Sequence, residues 1–571
     1  MNGSGQSSAV SYRLAEGLEL FLAEGQGNRF SGQLAGPLVA AARGFELGTV
    51  QNRSLAHIAD SGQGFSQALI LPLQGKEIGF HELNFIVVVK RMTSIYTCHM
   101  HTPFFPAFRA RLAPLGSRVQ RLRQQSLCQL ELLLAPRLPP GLLSQADEGP
   151  NSRDRIYSVR RTFFGFLYQV LKPDCPCREI VRQIQALFAL HDQGRVDEGT
   201  GAYCQARKRL PLDTLQRVAV AVAAAGEKTA QLWHELRPKL IDGTTVSLPD
   251  TQKNQQAYPQ SSSQKPGCGF PLMKLVGVFS LATGVLLDYA KGNKHQHELR
   301  LLRGLLDQFK HGDLAVADRG FCSYVLLALL LARGVLSVFR LHQRRPADLR
   351  KGRRLGKNDR LFTWLKPPER PRWLPQSWWK KIPAELTVRV IRFSLCRRGY
   401  RPESVTLVTT LLDAQKYPAQ DIAELYARRW NIELWFRDIK TSMGMEVLRC
   451  KSPKMVHKEL EMFFIAYNLI RCLMTQASIV NDAPLERLSF KGTVDSLRQF
   501  SVAIAQARSK KRQNQLIAKL LEAIALDQVP HRPDRIEPRA VKRRPKPYQL
   551  LNRPRHLMKE IPHRSKYRKH L

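Results

Sequence analysis

The chain has 571 residues, with 89 Lys and Arg against 47 Asp and Glu, a formal net charge of +42 and a pI near 10.3. Its hydrophobic fraction of 43% can fill a large core spread over several domains, which excludes a wholly disordered chain. The charge asks for a polyanionic partner, either nucleic acid or an anionic membrane surface.

Where the charge sits sharpens that choice. Residues 1–100 carry seven basic residues (Arg13, Arg29, Arg43, Arg53, Lys76, Lys90, Arg91) and seven acidic ones (Glu16, Glu19, Glu24, Glu46, Asp60, Glu77, Glu82), so the excess lies beyond them. Two segments, 346–416 and 530–571, each net +11. The longest apolar run that could begin a membrane span, Tyr324–Ala332, is closed by Arg333, well short of the roughly 20 residues a bilayer needs. Met1-Asn-Gly-Ser lacks the basic-then-apolar start of a signal peptide. Ten cysteines form no C-x-x-C array, and Cys175-Pro-Cys177 is too close for a zinc knuckle by itself, so they read as scattered reduced thiols. A cytoplasmic chain, bacterial and nucleoid-associated, with no membrane partner is the expectation.

Residues 1–105 are rich in Gly, Ser and Gln and have poor helical periodicity. They are an atypical N-terminal extension that is either outside the working protein, with translation starting near Met92 or Met100, or an ordinary variable leader. Residues 106–236 form a helical, DNA-binding or scaffolding region, with helical spacing over 117–134, 156–171, 177–191 and 211–236. The first part of an α/β core covers 237–345. Lys239–Leu248 reads as a strand broken at Gly243, and Met273–Phe279 with Val285–Ala290 as a hairpin around Ala282-Thr283-Gly284. Glu298–Phe309 reads as an amphipathic helix, Leu314–Ala317 as a buried strand, Ser323–Ala332 as a helix stopped by Gly334, and Val335–Leu341 as a strand. Three strands, helix, strand, helix, strand is the order of a ribonuclease H-like core.

A basic insertion at 346–416 interrupts that core, with strand alternation in Leu386–Val390, Ile391–Leu395 and Val405–Val408. The core resumes over 417–480 with helices at Ala419–Ser442 and Val456–Met474, followed at 481–571 by a C-terminal helical region and a basic tail.

Asp242 lies on the first strand and Asp318 at the end of a later one. Neighbouring strands would bring their carboxylates to metal-sharing distance, where two divalent ions about 3.5–4 Å apart can clamp both reacting oxygens of a phosphodiester. A third carboxylate is needed, and Glu433 stands out by its surroundings. Tyr426, Arg429, Glu433 and Lys440 fall within about 60° of one another on a straight helix, which suits a phosphate backbone beside a metal-bound acid. Trp430 and Trp435, flanking Glu433, read as core residues. Arg319, next to Asp318, is a candidate DNA contact or a simple ion-pair partner. Lys294-His295-Gln-His297-Glu298 reads as a helix cap more than a metal site.

These residues resemble the bacterial insertion-sequence transposases of the DDE type, specifically insertion sequence family four. Tyr426, Arg429, Glu433 and Lys440 match that family's Y-x2-R-x3-E-x6-K signature, and Ile241–Leu248 and Val316–Phe321 resemble its two aspartate blocks. The segment around Cys175–Leu210, including Thr200–Arg207, resembles its N-terminal helical region, and the resemblance runs from about residue 108 to the tail. It implies a ribonuclease H-like domain in which Asp242, Asp318 and Glu433 hold two Mg2+ or Mn2+ ions. It also implies binding of inverted-repeat ends in double-stranded DNA, cleavage, joining to a target, and a homodimer that pairs two ends. Arg429 and Lys440 would contact phosphates and Tyr426 would orient the strand. An insertion tryptophan (Trp364, Trp373, Trp378 or Trp379) would receive a flipped base. The rivals are a nuclease that cuts without joining and a DNA-binding protein that no longer turns over.

Overall fold

Apolar residues alternating between two faces build one mixed sheet that runs through the chain from residue 237 to residue 409. The structure, a computed structural model, describes residues 156–190, 194–345, 347–395, 403–507, 509–530 and 551–558, with isolated positions between 134 and 143. The N-terminal extension, most of the helix expected at 117–134 and most of the basic tail lie outside the described residues.

Among the described residues, four helices precede the sheet: α1 (Val159–Leu171), α2 (Cys177–Leu190), α3 (Gly201–Arg209) and α4 (Leu212–Glu227). The Ser158 hydroxyl caps α1 by accepting from the Arg161 N–H, satisfying one of the free donors at a helix start. The helical pattern expected through residue 236 stops at Glu227, and Trp233 bridges Leu236 as the chain turns into the sheet.

The strands are β1 (Arg237–Ser247), β2 (Leu272–Ser280), β3 (Leu286–Gly292), β4 (Asp313–Ala317), β5 (Leu336–Arg340), β6 (Arg353–Gly356), β7 (Asp359–Leu365), β8 (Glu385–Leu395) and β9 (Glu403–Thr409). They lie in the order β3-β2-β1-β4-β5-β9-β8-β7-β6, with two short helices between them in the chain, α5 (Gln252–Ala257) after β1 and α8 (Gln376–Lys380) after β7. β1, β4 and β5 are parallel, and the other pairings are antiparallel. The first five positions are consistent with a ribonuclease H-like core. Residues of the basic insertion extend that same sheet, because β9 pairs with β5. The two alternating runs expected between 386 and 395 are one strand, β8; β6, four residues with two Arg and a Gly, and β7, whose Leu361–Leu365 is largely apolar, are strands the sequence reading does not include.

Two expectations within the core need correction. The strand does not break at Gly243, which pairs with Val276 inside β1. A Cβ there would stand 2.7 Å from the Glu298 carboxylate, so glycine serves a close approach and not a turn. The helix expected over Glu298–Phe309 is shorter: α6 spans Glu298–Arg303, and a 3-10 turn follows at Leu306–Gln308.

Each strand feeds two cores by the twofold alternation of its side chains. Leu240, Val246, Leu314, Val316 and Val338 join one, and Ile241, Ala315, Ala317 and Phe339 join the other. The second core is covered by α6 and by α7 (Tyr324–Leu331), and the insertion tryptophans pack against it, half-buried. The first core is covered by α1, α4 and a long helix, α11 (Pro453–Val480). By length and composition α11 could cross a membrane, but 67% of its apolar window is buried inside the protein. Its Arg471 donates to the Thr283 carbonyl and its Asn468 bonds Leu286, so polar side chains tie α11 to the β2–β3 hairpin. Helices α12 (Phe490–Ala505) and α13 (Lys510–Leu526) follow.

Register at the sheet centre is pinned by charge. Asp313, fully buried at the start of β4, accepts from Arg237 Nε at 2.7 Å and pairs with Lys239 Nζ at 2.6 Å, both on β1. A second buried pair joins Arg389 of β8 to Asp359 of β7, bidentate, with Nη2–Oδ2 at 2.6 Å. Arg389 also donates to the carbonyl of Tyr417 at 2.7 Å, just ahead of the helical segment that carries Glu433. Arg389→Met strands the Asp359 carboxylate and should cost about 3–5 kcal/mol in a urea unfolding curve. The double variant Arg389→Met, Asp359→Leu should recover most of that loss.

Candidate active site

Strand register determines which side chains meet. Ile241 of β1 pairs with Ala317 of β4, and Ala317 pairs with Phe339 of β5. The next residue along each strand direction is Asp242, Asp318 and Arg340, which brings the three to one level on neighbouring chains spaced about 4.8 Å apart. Alternation turns this row toward the first core. Across β1 on its other side, Asp242 pairs with Gly277 of β2.

That glycine makes room for a helix. A Cβ at 277 would lie 3.2 Å from Phe436 Cζ and 2.8 Å from the Phe279 ring. Phe279 packs edge-on against Phe436 with ring centroids 5.1 Å apart, and tilted against Trp435 at 5.7 Å. The helix so seated arrives in four pieces: α9 (Ala419–Ala427), a 3-10 turn at Arg428–Trp430, α10 (Asn431–Arg437) and a π-turn at Asp438–Ser442. The single helix expected over Ala419–Ser442 is thus tightened before Glu433 and widened after it. A uniform 100° per residue does not describe its face.

Glu433, in the first turn of α10, comes down beside Asp242. Arg429 joins them, with Nη2 3.1 Å from Glu433 Oε1 and Nη1 3.6 Å from Asp242 Oδ2. Arg429 Nε is buried and has no hydrogen-bond partner. Tyr426 is buried, hydrogen-bonds Arg429 and lies under its guanidinium at 5.9 Å. Burial pushes the Tyr426 phenol up to about 12, with Arg429 and Arg340 drawing it down and Asp318 raising it. Its hydroxyl is therefore not displayed on a free face, as the helical wheel suggested; it braces Arg429.

Burial also pushes Asp242 up to about 6. The Gly243 N–H, which donates to its Oδ1 at 2.7 Å, and Arg429 oppose that rise, while Asp318 and Glu433 add to it. Three carboxylates thus share one field with a single guanidinium between two of them. Among the described residues, no three acidic, His or Cys side chains stand close enough together to hold an ion as placed. The donor chemistry nonetheless fits a hard divalent cation: oxygen ligands only, and an acid whose negative form is disfavoured by its two neighbours.

The remaining expected residues are placed as follows. Lys440 lies half-buried in the π-turn, beyond the straight run of α10. Arg319 is exposed and its Nη1 meets Gln343 Oε1 at 3.3 Å rather than Asp318, whose Oδ1 accepts from the Gly320 N–H. Trp435 is core, but Trp430 is 51% exposed in the 3-10 turn next to Arg429, contrary to expectation. His297 caps α6, accepting from the Leu299 N–H at 3.2 Å. Three insertion tryptophans lie under their own cations: Arg345 over Trp364 at 4.3 Å, Lys366 over Trp379 at 4.2 Å and Arg333 over Trp378 at 5.5 Å. Sequence reasoning missed Arg340, which follows Phe339, the register partner of Ala317; that register is visible only in the structure.

Asp242 has a folded-state pKa near 6 against an ordinary value of 3.8. A raised acid contributes stability that is full below about 3.8 and lost as pH rises through about 6. Without added divalent metal, Asp242→Asn should therefore stabilise the protein at pH 7.5, by up to about 3 kcal/mol at 1.36 kcal/mol per pKa unit. The advantage over wild type should fade in thermal melts taken toward pH 4; an advantage that grows on acidification contradicts the burial account.

The chain is similar to known transposases along most of its length. The sequence pattern of the transposase DDE domain matches residues 233–469, which include β1 through most of α11. The chain is 30% identical over 426 residues to the transposase InsG for insertion sequence element IS4 of Escherichia coli (strain K12), covering 72% of this chain and 92% of that protein. A putative transposase InsZ of the same organism is 27% identical over 163 residues, 28% of this chain and 54% of that one. A probable transposase for insertion sequence element IS5377 of Geobacillus stearothermophilus is 33% identical over 93 residues, 16% of this chain and 24% of that one. Transposases of this family cleave DNA and transfer strands, and the family generally uses divalent metal ions. The chain belongs to the IS4 family of bacterial DDE transposases.

Proposed function

We propose that this chain binds the terminal inverted repeats of an insertion sequence, cleaves the element ends and joins them to target DNA. All the chemistry is assigned to one site, at which Asp242, Asp318 and Glu433 hold two Mg2+ or Mn2+ ions. The observation that carries the reading is the convergence of Asp242 and Glu433 on Arg429, with Asp318 one strand away in register. When bound, the ions would lower the pKa of an attacking water or 3′-hydroxyl and stabilise the charge that develops on phosphate oxygens.

The protein's own groups do the positioning. Asp242 lies in β1 and Asp318 directly follows β4, so the pairing of β1 with β4 sets the spacing of two ligands. Glu433 is brought to them by the packing of Trp435 and Phe436 on Phe279. Arg429 contacts a phosphate beside the acids while Tyr426 holds its guanidinium. Lys440 contacts a phosphate further along the same strand, and Arg319, exposed at the tip of the loop after β4, contacts the duplex. No covalent protein–DNA bond is required, so no Ser or Tyr nucleophile is assigned; positioning and charge stabilisation carry the reaction. The working unit is a homodimer holding two ends, in the cytoplasm on the bacterial nucleoid.

Supercoiled donor DNA with matched inverted-repeat ends and Mg2+ tests this directly. Joined products are expected; cuts without joining would favour a nuclease, and stable complexes without cuts a DNA-binding protein. Asp318→Asn and Glu433→Gln should each reduce cleavage and joining by at least about 100-fold, on the order of one lost preorganised transition-state contact, while leaving end binding within a few-fold. Lys440→Ala should weaken binding and flatten the log–log salt dependence by about one unit, the signature of one lost phosphate contact.

A further inference from the structure

Two cysteines far apart in the sequence, Cys177 and Cys450, meet on one buried cation, with Cys204 and Cys175 close by in the chain. Arg207 on α3 is nine-tenths buried, stacks 3.9 Å from the Phe166 ring centroid and points its guanidinium at sulfur. Its Nη1 lies 3.2 Å from Cys177 Sγ and its Nη2 3.2 Å from Cys450 Sγ, and its Nε has no partner. Cys204 sits one helical turn before Arg207, and its thiol hydrogen-bonds that of Cys177. Cys175 is buried two residues from Cys177.

A guanidinium is a strong donor and a neutral thiol a weak acceptor. Arg207 is thus held by acceptors poorer than its charge calls for, and the mismatch is relieved when a sulfur becomes anionic. The positive charge at the centre also argues against a metal ion in this thiol cluster. Of the three sulfurs nearest the cluster's centre, burial pushes those of Cys204 and Cys450 up. Cys177 differs in access: it is half-exposed at the first position of α2, 3.2 Å from Arg207 Nη1, where a reagent in solution can reach it.

We propose that Cys177 and Cys204 are an oxidative modification site that closes a reversible disulfide on exposure to a small-molecule disulfide. The Cys177 thiolate attacks one sulfur of the reagent R–S–S–R, forming Cys177–S–S–R and releasing R–S−. Cys204 then attacks Cys177 Sγ, forming the Cys177–Cys204 bond and releasing the second R–S−. The two protons leave the protein's thiols for the two departing thiolates, so two protein thiols are oxidised and one R–S–S–R is reduced to two R–SH. Arg207 loses an acceptor in the process. That matters because Arg207 links the helical region to Cys450, which lies just past the segment Val447–Leu448 that joins the end of β1.

The test treats the reduced full-length protein with oxidised glutathione, alkylates the remaining thiols and maps a non-reduced digest by mass spectrometry. A peptide joined through Cys177 and Cys204 that dithiothreitol separates is expected, with a loss of two alkylatable thiols. In Cys204→Ser, glutathione should be trapped on Cys177. A Cys175–Cys177 bond in its place, or Cys177 and Cys204 remaining fully alkylatable, overturns the proposal. So does glutathione settling in Cys204→Ser on another cysteine while Cys177 stays free.

Discussion

The parallel pairing of β1 with β4 is the constraint on which the rest of the site depends. A slip of one residue would turn one aspartate of the pair to the opposite face of the sheet. Asp313 opposes that slip. Buried at the start of β4, it holds both Arg237 and Lys239 of β1, five residues before Asp318 and five and three before Asp242. Breaking register would leave a buried carboxylate without its cations, which is costly in a way that apolar pairing alone is not. The charge pair therefore contributes specificity at one end of the strands, and the aspartates use that specificity at the other.

A second constraint follows from bringing acids together. Asp242, Asp318 and Glu433 meet in a partly buried setting, where burial first and the two neighbouring acids to a lesser degree raise Asp242 to about 6. Arg429 offsets part of it by reaching Glu433 and Asp242 with separate nitrogens, and Tyr426 supports Arg429 from below. The helix bearing these groups is not uniform: it tightens through Arg428–Trp430 and widens through Asp438–Ser442. Irregular turns of this kind redirect side chains, and here they release Trp430 to solvent and carry Lys440 off the straight face.

Much of this was legible in the sequence, for identifiable reasons. The strands β2, β4 and β5 are largely apolar, buried runs, β1 shows an apolar Leu240-Ile241 ahead of Asp242, and the β2–β3 hairpin announces itself by Thr283-Gly284. Asp242, Asp318 and Glu433 were found by motif and order, and the structure brings the first two into register. What was not legible depended on partners distant in the chain. Gly243 looked like a strand break because the Glu298 carboxylate above it is 55 residues away in sequence. Trp430 looked like core because a helical wheel assumes a constant turn. The cysteines looked scattered because only the fold carries Cys450 to Cys177. Strand β6, at the sheet edge with two Arg among its four residues, shows no alternation that a reader could separate from a loop, and β7 is marked as a strand chiefly by its pairing with β6 and β8.

The central claim is that Asp242, Asp318 and Glu433 form one divalent-metal site that both cuts and joins DNA. Metal rescue tests it most directly. Asp242→Cys and Asp318→Cys replace hard oxygen ligands with thiolates, which Mg2+ binds poorly and the softer Mn2+ tolerates better. The account predicts end cleavage lost in Mg2+ and partly restored in Mn2+ for both variants, with end binding retained throughout. Full activity of either variant in Mg2+, or no restoration by Mn2+ in a folded protein that binds its ends, would contradict it.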